Sequence, residues 1–192
     1  MPKSFTEKER EEIRTKLINA CKQNWSKQGY KSTSVDLLCK ESGISKGAFY
    51  IFFESKEALF CEVICQLNNQ IYKRICDIYL KNPSKAGMAE ALMEVYQMYD
   101  NNNFLYDANS ADYQLLLTKI SEEQRNKMEQ SEWNNQKILL EQPFLRYKID
   151  KKLAASVVYS MIMNVKNKQN LPYEHRKVFA FMVDGLIEKI FE

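Results

Sequence analysis

Residues 43–60 read GISKGAFYIFFESKEALF, and this stretch carries in order a helix stop, a helix start, a short helix and the opening of a longer one. Just before it, the apolar positions Val35, Leu38 and Cys39 recur at helical spacing. Ser34 is placed to cap that helix, because its oxygen can accept an N–H that the first turn leaves unpaired. Gly43 ends it, since glycine reaches the left-handed conformation of a helix C-terminus without a Cβ penalty. Ser45 caps a second, short helix in which Phe49 and Phe53 face inward while Lys46, Ala48 and Tyr50 face elsewhere. Two short helices meeting at a glycine form a helix-turn-helix. A short helix with small and polar groups outward is what a DNA major groove admits.

Working outward, residues 6–28 form a first helix. Thr6 and Glu9 fit a capping box, Ile13, Leu17, Cys21 and Trp25 recur every four positions with Asn24 beside them, and Gly29 closes the pattern. Helices at about 35–42 and 46–52 complete a three-helix unit over residues 1–54. A fourth helix opens at Ser55 and runs to about residue 80 along Leu59, Val63, Leu67, Ile71, Ile75 and Ile78. At ~1.5 Å per residue it spans nearly 40 Å, long enough to serve both the N-terminal unit and a body over residues 55–192.

In the body, Asn82-Pro83-Ser84 is the clearest break, because proline disfavours a helical residue before it. Helices are expected at about 84–100 and 104–119, the second interrupted near Asn109. Ser121 and Gln124 then fit a capping box that opens a largely solvated helix ending before Pro143. Asp150 caps a helix over 151–168, and Pro172 opens another over 172–191. The first of these carries a widened apolar stripe, and the apolar face of the second covers more than half the circumference, which calls for burial on two sides. Homodimerisation through a four-helix bundle is the economical answer. Its candidates are Val157, Met161, Phe179, Val183, Leu186 and Ile190, with Ala155, Ser160 and Gly185 allowing close approach. A fully buried central helix in a monomer is the alternative.

Composition agrees with an all-α chain: 192 residues, 45% hydrophobic, with only 5 glycines and 4 prolines. The net charge is +3, but residues 1–56 hold 11 basic against 7 acidic residues and the rest 17 against 18. That places the excess positive charge at the end that would meet phosphates. Five cysteines in no C-x-x-C pair, a single histidine and no signal segment suit a reducing cytoplasm. Cys61 and Cys65 share a helix face, where a redox or metal role is the alternative to plain packing. No apolar run approaches the ~20 residues of a membrane span. Without a G-x-S-x-G, a phosphate-cradling glycine loop or metal-spaced ligands there is no catalytic constellation, and neither a cofactor nor a metal is expected. His175 is read as a polar first-turn residue.

With these residues in view, the chain resembles members of the TetR family of bacterial transcription regulators over about residues 10–62. The resemblance rests on a helix ending in Gly29-Tyr30, the Ser32-Thr33-Ser34-Val35 entry, Ile44-Ser45-Lys46-Gly47 followed by Phe49-Tyr50, and the run from Phe53 to Phe60. Asp184-Gly185-Leu186 near the end is also similar to many members. It implies that Thr33, Tyr50 and Lys56 hold phosphates, and that Ser34, Ser45, Lys46, Gly47, Ala48 and Ile51 lie on or near the base-reading surface. Many relatives have threonine where this chain has Ala48 and a polar residue where it has Ile51, which leaves the operator sequence open.

The expected protein is therefore a homodimeric repressor that two heads dock on a pseudo-palindrome of double-stranded DNA and a small hydrophobic or aromatic ligand releases. Candidate pocket residues are Met93, Tyr96, Tyr99, Phe104, Tyr106, Tyr113, Met128 and Trp133. The alternative is a DNA-binding regulator controlled by a protein or peptide partner.

Overall fold

A computed structural model describes residues 5–102, 110–164 and 172–192. Among them are nine α-helices: α1 Glu7–Ser32, α2 Val35–Ser42, α3 Lys46–Phe52, α4 Lys56–Lys81, α5 Lys85–Asn101, α6 Ala111–Leu117, α7 Glu122–Leu140, α8 Lys151–Met163 and α9 His175–Ile190. There is no strand among the described residues, only an isolated bridge between Tyr147 and Phe191. The all-α expectation and the helix-turn-helix are therefore the observed architecture.

Local chemistry sets most of the helix starts. Thr6 and Glu9 make the full capping box, and Ser34, Ser45 and Ser84 each accept from the backbone N–H three residues on. Ser121 and Gln124 exchange the reciprocal pair, at 3.0 and 3.2 Å. Asp150 accepts from Lys152 and Leu153 at the start of α8. Gly43 is the left-handed cap of α2, at φ 71°. Two boundaries differ from expectation. The first helix does not stop at Gly29 but kinks there, at φ 80° and ψ 174°, and resumes to Ser32. Pro172 does not open the last helix, which begins at His175 after a bend. Residues 103–109 and 165–171, which include the expected interruption near Asn109 and the end of the 151–168 helix, lie outside the described residues.

The chain divides into two compact units, and the division does not follow a single cut after residue 54. The first draws on Met1–Leu67 and Phe104–Glu129, the second on Asn68–Asn103 and Gln130–Glu192. In the first, Leu17, Cys21, Trp25, Tyr30, Leu38, Phe49, Phe53, Leu59, Phe60 and Leu116 are buried together. Each large side chain of this kind contributes about 1.5–3 kcal/mol through burial. Trp25 packs on Phe60 at 4.6 Å, and Tyr30 meets the same ring edge-on at 5.0 Å. Asn24 is buried and ties α1 to α2, donating to the Glu41 carboxylate at 2.6 Å. Cys21, Cys39, Cys61 and Cys65 are buried free thiols. Burial, with Cys65 and Glu57 adding to it, pushes the Cys61 thiol up to about 12, so Cys61 packs as a small hydrophobe.

In the second unit α9 packs along α5 and against α8, around Met88, Leu92, Tyr96, Val158, Met161, Phe179, Val183 and Ile190. The end of the chain is tied to the segment after α7, since Lys148 donates to the Ile190 carbonyl at 2.8 Å and Glu192 to that of Arg146 at 2.9 Å. This corrects the dimer candidates. Met161, Phe179, Val183 and Ile190 are at most 2% exposed and already serve the unit's own core. Val157 and Leu186 are half-buried. The exposed apolar groups lie off that stripe, at Leu153 and Phe181, which are 54% and 81% exposed.

The kink at Gly29 places a residue in a region of backbone space open almost only to glycine, and a Cβ there would run into the Asp112 carboxylate. Gly29→Ala is expected to lower the stability of the first unit by about 1–3 kcal/mol, read as a fall in the denaturant midpoint. Gly43→Ala, where an added Cβ meets nothing within 4 Å, should cost only about 1 kcal/mol for the left-handed conformation.

Candidate nucleic-acid interface

The helix-turn-helix is a thin outer layer over the aromatic core. Phe49 is fully buried and Phe53 nearly so, which fixes how α3 is rotated. With that face inward, Ser45, Lys46, Gly47, Tyr50 and Ile51 are exposed and Ala48 is half-buried. Tyr50 and Ile51 are each 51% exposed, large side chains left outside with no core to enter. The Lys46 ammonium pairs with Asp36 at the start of α2, at 3.1 Å, and this pairing raises it from its ordinary value. Ser34 and Ser45 stand at the surface, but their oxygens are already engaged as caps, accepting from Leu37 at 3.2 Å and Ala48 at 3.1 Å.

Two of the expected phosphate contacts are used otherwise. Thr33 is fully buried, and its hydroxyl donates to the Gly29 carbonyl at 2.7 Å. Lys56 Nζ donates to the carbonyls of Tyr30 and Thr33, at 2.7 and 2.8 Å, and sits 3.9 Å from the centre of the Tyr30 ring. Burial lowers this ammonium from its ordinary value, with Glu57 opposing and Lys119 adding to the effect. The physical reason is the kink at Gly29. It turns the end of α1 out of helical geometry and leaves carbonyls that a cation at the start of α4 completes. Thr33 and Lys56 therefore hold the helix-turn-helix in place from beneath.

The same kink exposes N–H groups, and these are met by an acidic side chain far away in sequence. Asp112, in the first turn of α6, accepts from the backbone N–H of Tyr30 and from that of Lys31, the latter at 3.1 Å. The Tyr30 hydroxyl in turn donates to Glu57 in the first turn of α4. Nothing in local sequence pattern marks Asp112, because its partners lie 81 and 82 residues away. A second tie joins the start of α7 to the loop before α4, where Gln124 donates to Glu54 at 2.8 Å. Glu62 is shared by Arg14 and Lys127, each at 3.3 Å. Burial alone would raise the Glu62 carboxyl, but Lys127 and Arg14 outweigh it and hold it below its ordinary value.

The described ligand-pocket candidates are divided between the two units. Met128 is buried in the core of the first unit and Tyr113 packs against that core, so both are corrected to core positions. Tyr96, in the second unit, is 3% exposed. It stacks on His175 and meets Phe179 with ring centres 4.6 Å apart, which also makes it core. His175 stands in the first turn of α9, its Nδ1 3.2 Å from the Tyr96 hydroxyl. Met93 is half-buried on α5. Tyr99 lines a cavity of about 40 Å³ and Trp133 a separate cleft of about 410 Å³. Phe104 and Tyr106 lie outside the described residues.

A short outward helix on a buried aromatic face, preceded by a second helix and a left-handed glycine, defines a helix-turn-helix DNA-binding protein. Comparison with known proteins agrees over that unit. Residues 17–63 match the family model described as "Bacterial regulatory proteins, tetR family". The uncharacterized HTH-type transcriptional regulator YuxN of Bacillus subtilis is 27% identical over 180 residues, 93% of this chain and 53% of YuxN. The chain thus spans about half the length of that relative. The HTH-type regulator UidR of Escherichia coli is 40% identical over 58 residues, 30% of each protein. Among solved structures, FadR from Bacillus subtilis in complex with stearoyl-CoA superposes with a TM-score of 0.71 at 18% identity, over 92% of this chain and 98% of that one. Over residues 17–63 the chain thus carries a helix-turn-helix unit that matches the tetR-family model, and the relatives it resembles are named as HTH-type regulators of transcription.

The two lysines of this surface should separate by measurement. Lys56→Ala removes two charge-assisted bonds to partly buried carbonyls and is expected to cost about 1–3 kcal/mol of unfolding free energy. Lys46→Ala, at an exposed pair, should leave the thermal midpoint where it was.

Proposed function

We propose that the protein is a homodimeric repressor that occupies a pseudo-palindromic operator and leaves it when a small molecule binds the body. The exposed surface of α3 is the observation that carries this reading. Lys46 can reach guanine acceptors or a phosphate, Ala48 can touch a thymine methyl, and the Tyr50 hydroxyl can position the helix on the backbone. Ile51 is the large apolar group that this surface would bring to the groove.

A dimer is supported by the terminal helices. Phe181 is a large aromatic group with 81% of its surface in solvent, and Lys177, Asp184, Gly185 and Glu188 are exposed at helical spacing around it. On α8, Leu153, Ser156 and Ser160 are exposed along one side. Small residues beside a large apolar one suit close approach of a second copy through the same patch. Two heads would then read half-sites with centres about 34–36 Å apart or a little more. FadR in complex with stearoyl-CoA is a case of this fold with a small molecule bound, which supports a ligand-responsive body. Ligand and DNA affinities are linked reciprocally, so the inducer must favour the arrangement that fits DNA less well.

The expected outcomes are specific. Lys46→Ala and Tyr50→Phe weaken operator binding without loss of fold, and Lys46→Ala reduces the salt slope by about 1. Sedimentation at micromolar concentration gives a dimer for the parent and a folded monomer for Phe181→Glu, which also loses operator affinity. A parent that sediments as a folded monomer would overturn the dimer.

A further inference from the structure

The cavity of about 40 Å³ in the second unit is walled by Ile71 and Ile75 of α4, Val95 and Tyr99 of α5, Leu139 of α7 and Ile162 of α8. Its polar lining comes from Glu132, Asn135 and Gln136 of α7 and Tyr159 of α8. Residues 132, 135, 136 and 139 follow helical spacing, so one face of α7 forms this wall. The Asn135 Oδ1 is buried and has no hydrogen-bond partner among the described residues. An acceptor left so costs about 1–3 kcal/mol, which a donor entering the cavity would recover. Among the described residues, no lysine, arginine or histidine lines the space. Glu132 and Tyr159 are both exposed and stand at its mouth. Burial, and after it the charge of Glu132, raises the Tyr159 phenol, which places that carboxylate close to the tyrosine.

We propose that this cavity is the site for a protonated aliphatic amine, with the ammonium group shared by Asn135 Oδ1 and the Glu132 carboxylate and the alkyl chain against Ile71, Ile75, Leu139 and Ile162. The inference rests on the reading that the body holds a regulatory ligand, and it names the ligand's class. Acceptors and aromatic side chains line the same space: the Asn135 amide, the Glu132 carboxylate, Tyr99 and Tyr159. An ammonium group offers three donors and a charge that such rings attract. A carboxylate or phosphate would bring its own acceptors to the Asn135 amide oxygen and the Glu132 carboxylate. The volume exceeds the ~30 Å³ share of one water molecule and so admits the head group. The chain takes the room opened when the surrounding aliphatic side chains change rotamer. That displacement bears on Ile71 and Ile75 of α4, the helix whose first turn carries Lys56 and Glu57.

The test titrates octylamine, octanoate and octanol, each below its aggregation threshold, into the full chain. Binding is followed by the thermal midpoint and by the fluorescence of Trp133, which adjoins Glu132 on α7. Octylamine is expected to bind saturably and to raise the midpoint, with octanoate and octanol at least about tenfold weaker. Glu132→Gln and Asn135→Leu should each weaken octylamine by about tenfold or more, the loss of a hydrogen bond to a charged group. Glu132 is exposed, so its variant keeps the test valid if Asn135→Leu folds poorly. Equal affinity for the three probes, no saturable binding of octylamine, or unchanged affinity in Glu132→Gln would overturn the proposal. The parent's DNA binding is measured in the same buffer. If it persists while octylamine fails, only the ligand class falls; if DNA binding itself is missing, the regulator reading falls.

Discussion

Two side chains complete the backbone of α1 where Gly29 turns it out of helical geometry. Asp112 takes the N–H groups of Tyr30 and Lys31, and Lys56 donates to the carbonyls of Tyr30 and Thr33. Left unpaired, each of these backbone groups would cost about 1–3 kcal/mol, so the kink exists only while both partners are in place. The consequence is mechanical. The end of α1, the start of α4 and the start of α6 meet at one polar knot, roofed by the Tyr30 ring. The helix-turn-helix leaves α1 immediately after it. A displacement of α4 or α6 therefore acts on the helix-turn-helix through directional bonds, in addition to apolar packing that can slide.

Much of this fold was legible because helix starts are local. A serine, threonine or aspartate oxygen caps an N–H two or three residues on, so Thr6, Ser34, Ser45, Ser121 and Asp150 could be read directly. The rotation of α3 was legible for a similar reason, since Phe49 and Phe53 fall four residues apart on one face. The partners of Lys56 and Thr33 within the fold could not be read, because tertiary structure chooses them. A lysine at a helix start serves equally well for a phosphate or for a carbonyl 23 residues away, and sequence does not distinguish them. Asp112 was invisible on the same account.

The terminal helices show a different limit. A wide apolar stripe states how much surface must be buried, but it does not apportion the burial between a protomer's own core and a partner. Phe179, Val183 and Ile190 are spent inside. The surface left outside that core is marked by Phe181, which stands off the stripe among charged and small neighbours. Aromatic and methionine content likewise suggested a pocket, yet Tyr96 and Met128 proved to be core, and a buried amide oxygen on a polar helix points to the cavity instead. What singles out Asn135 is an unmet hydrogen bond, a property of packing rather than of sequence.

The central claim is that paired α3 helices, each set by this knot, read DNA at a fixed separation. Selection of bound sequences from a random duplex pool tests it most directly. The account predicts enrichment of an inverted repeat whose half-site centres lie about one helical turn apart or slightly more, roughly 34–36 Å at the least. A pool with no enrichment, or one converging on a single unrepeated site, would contradict it.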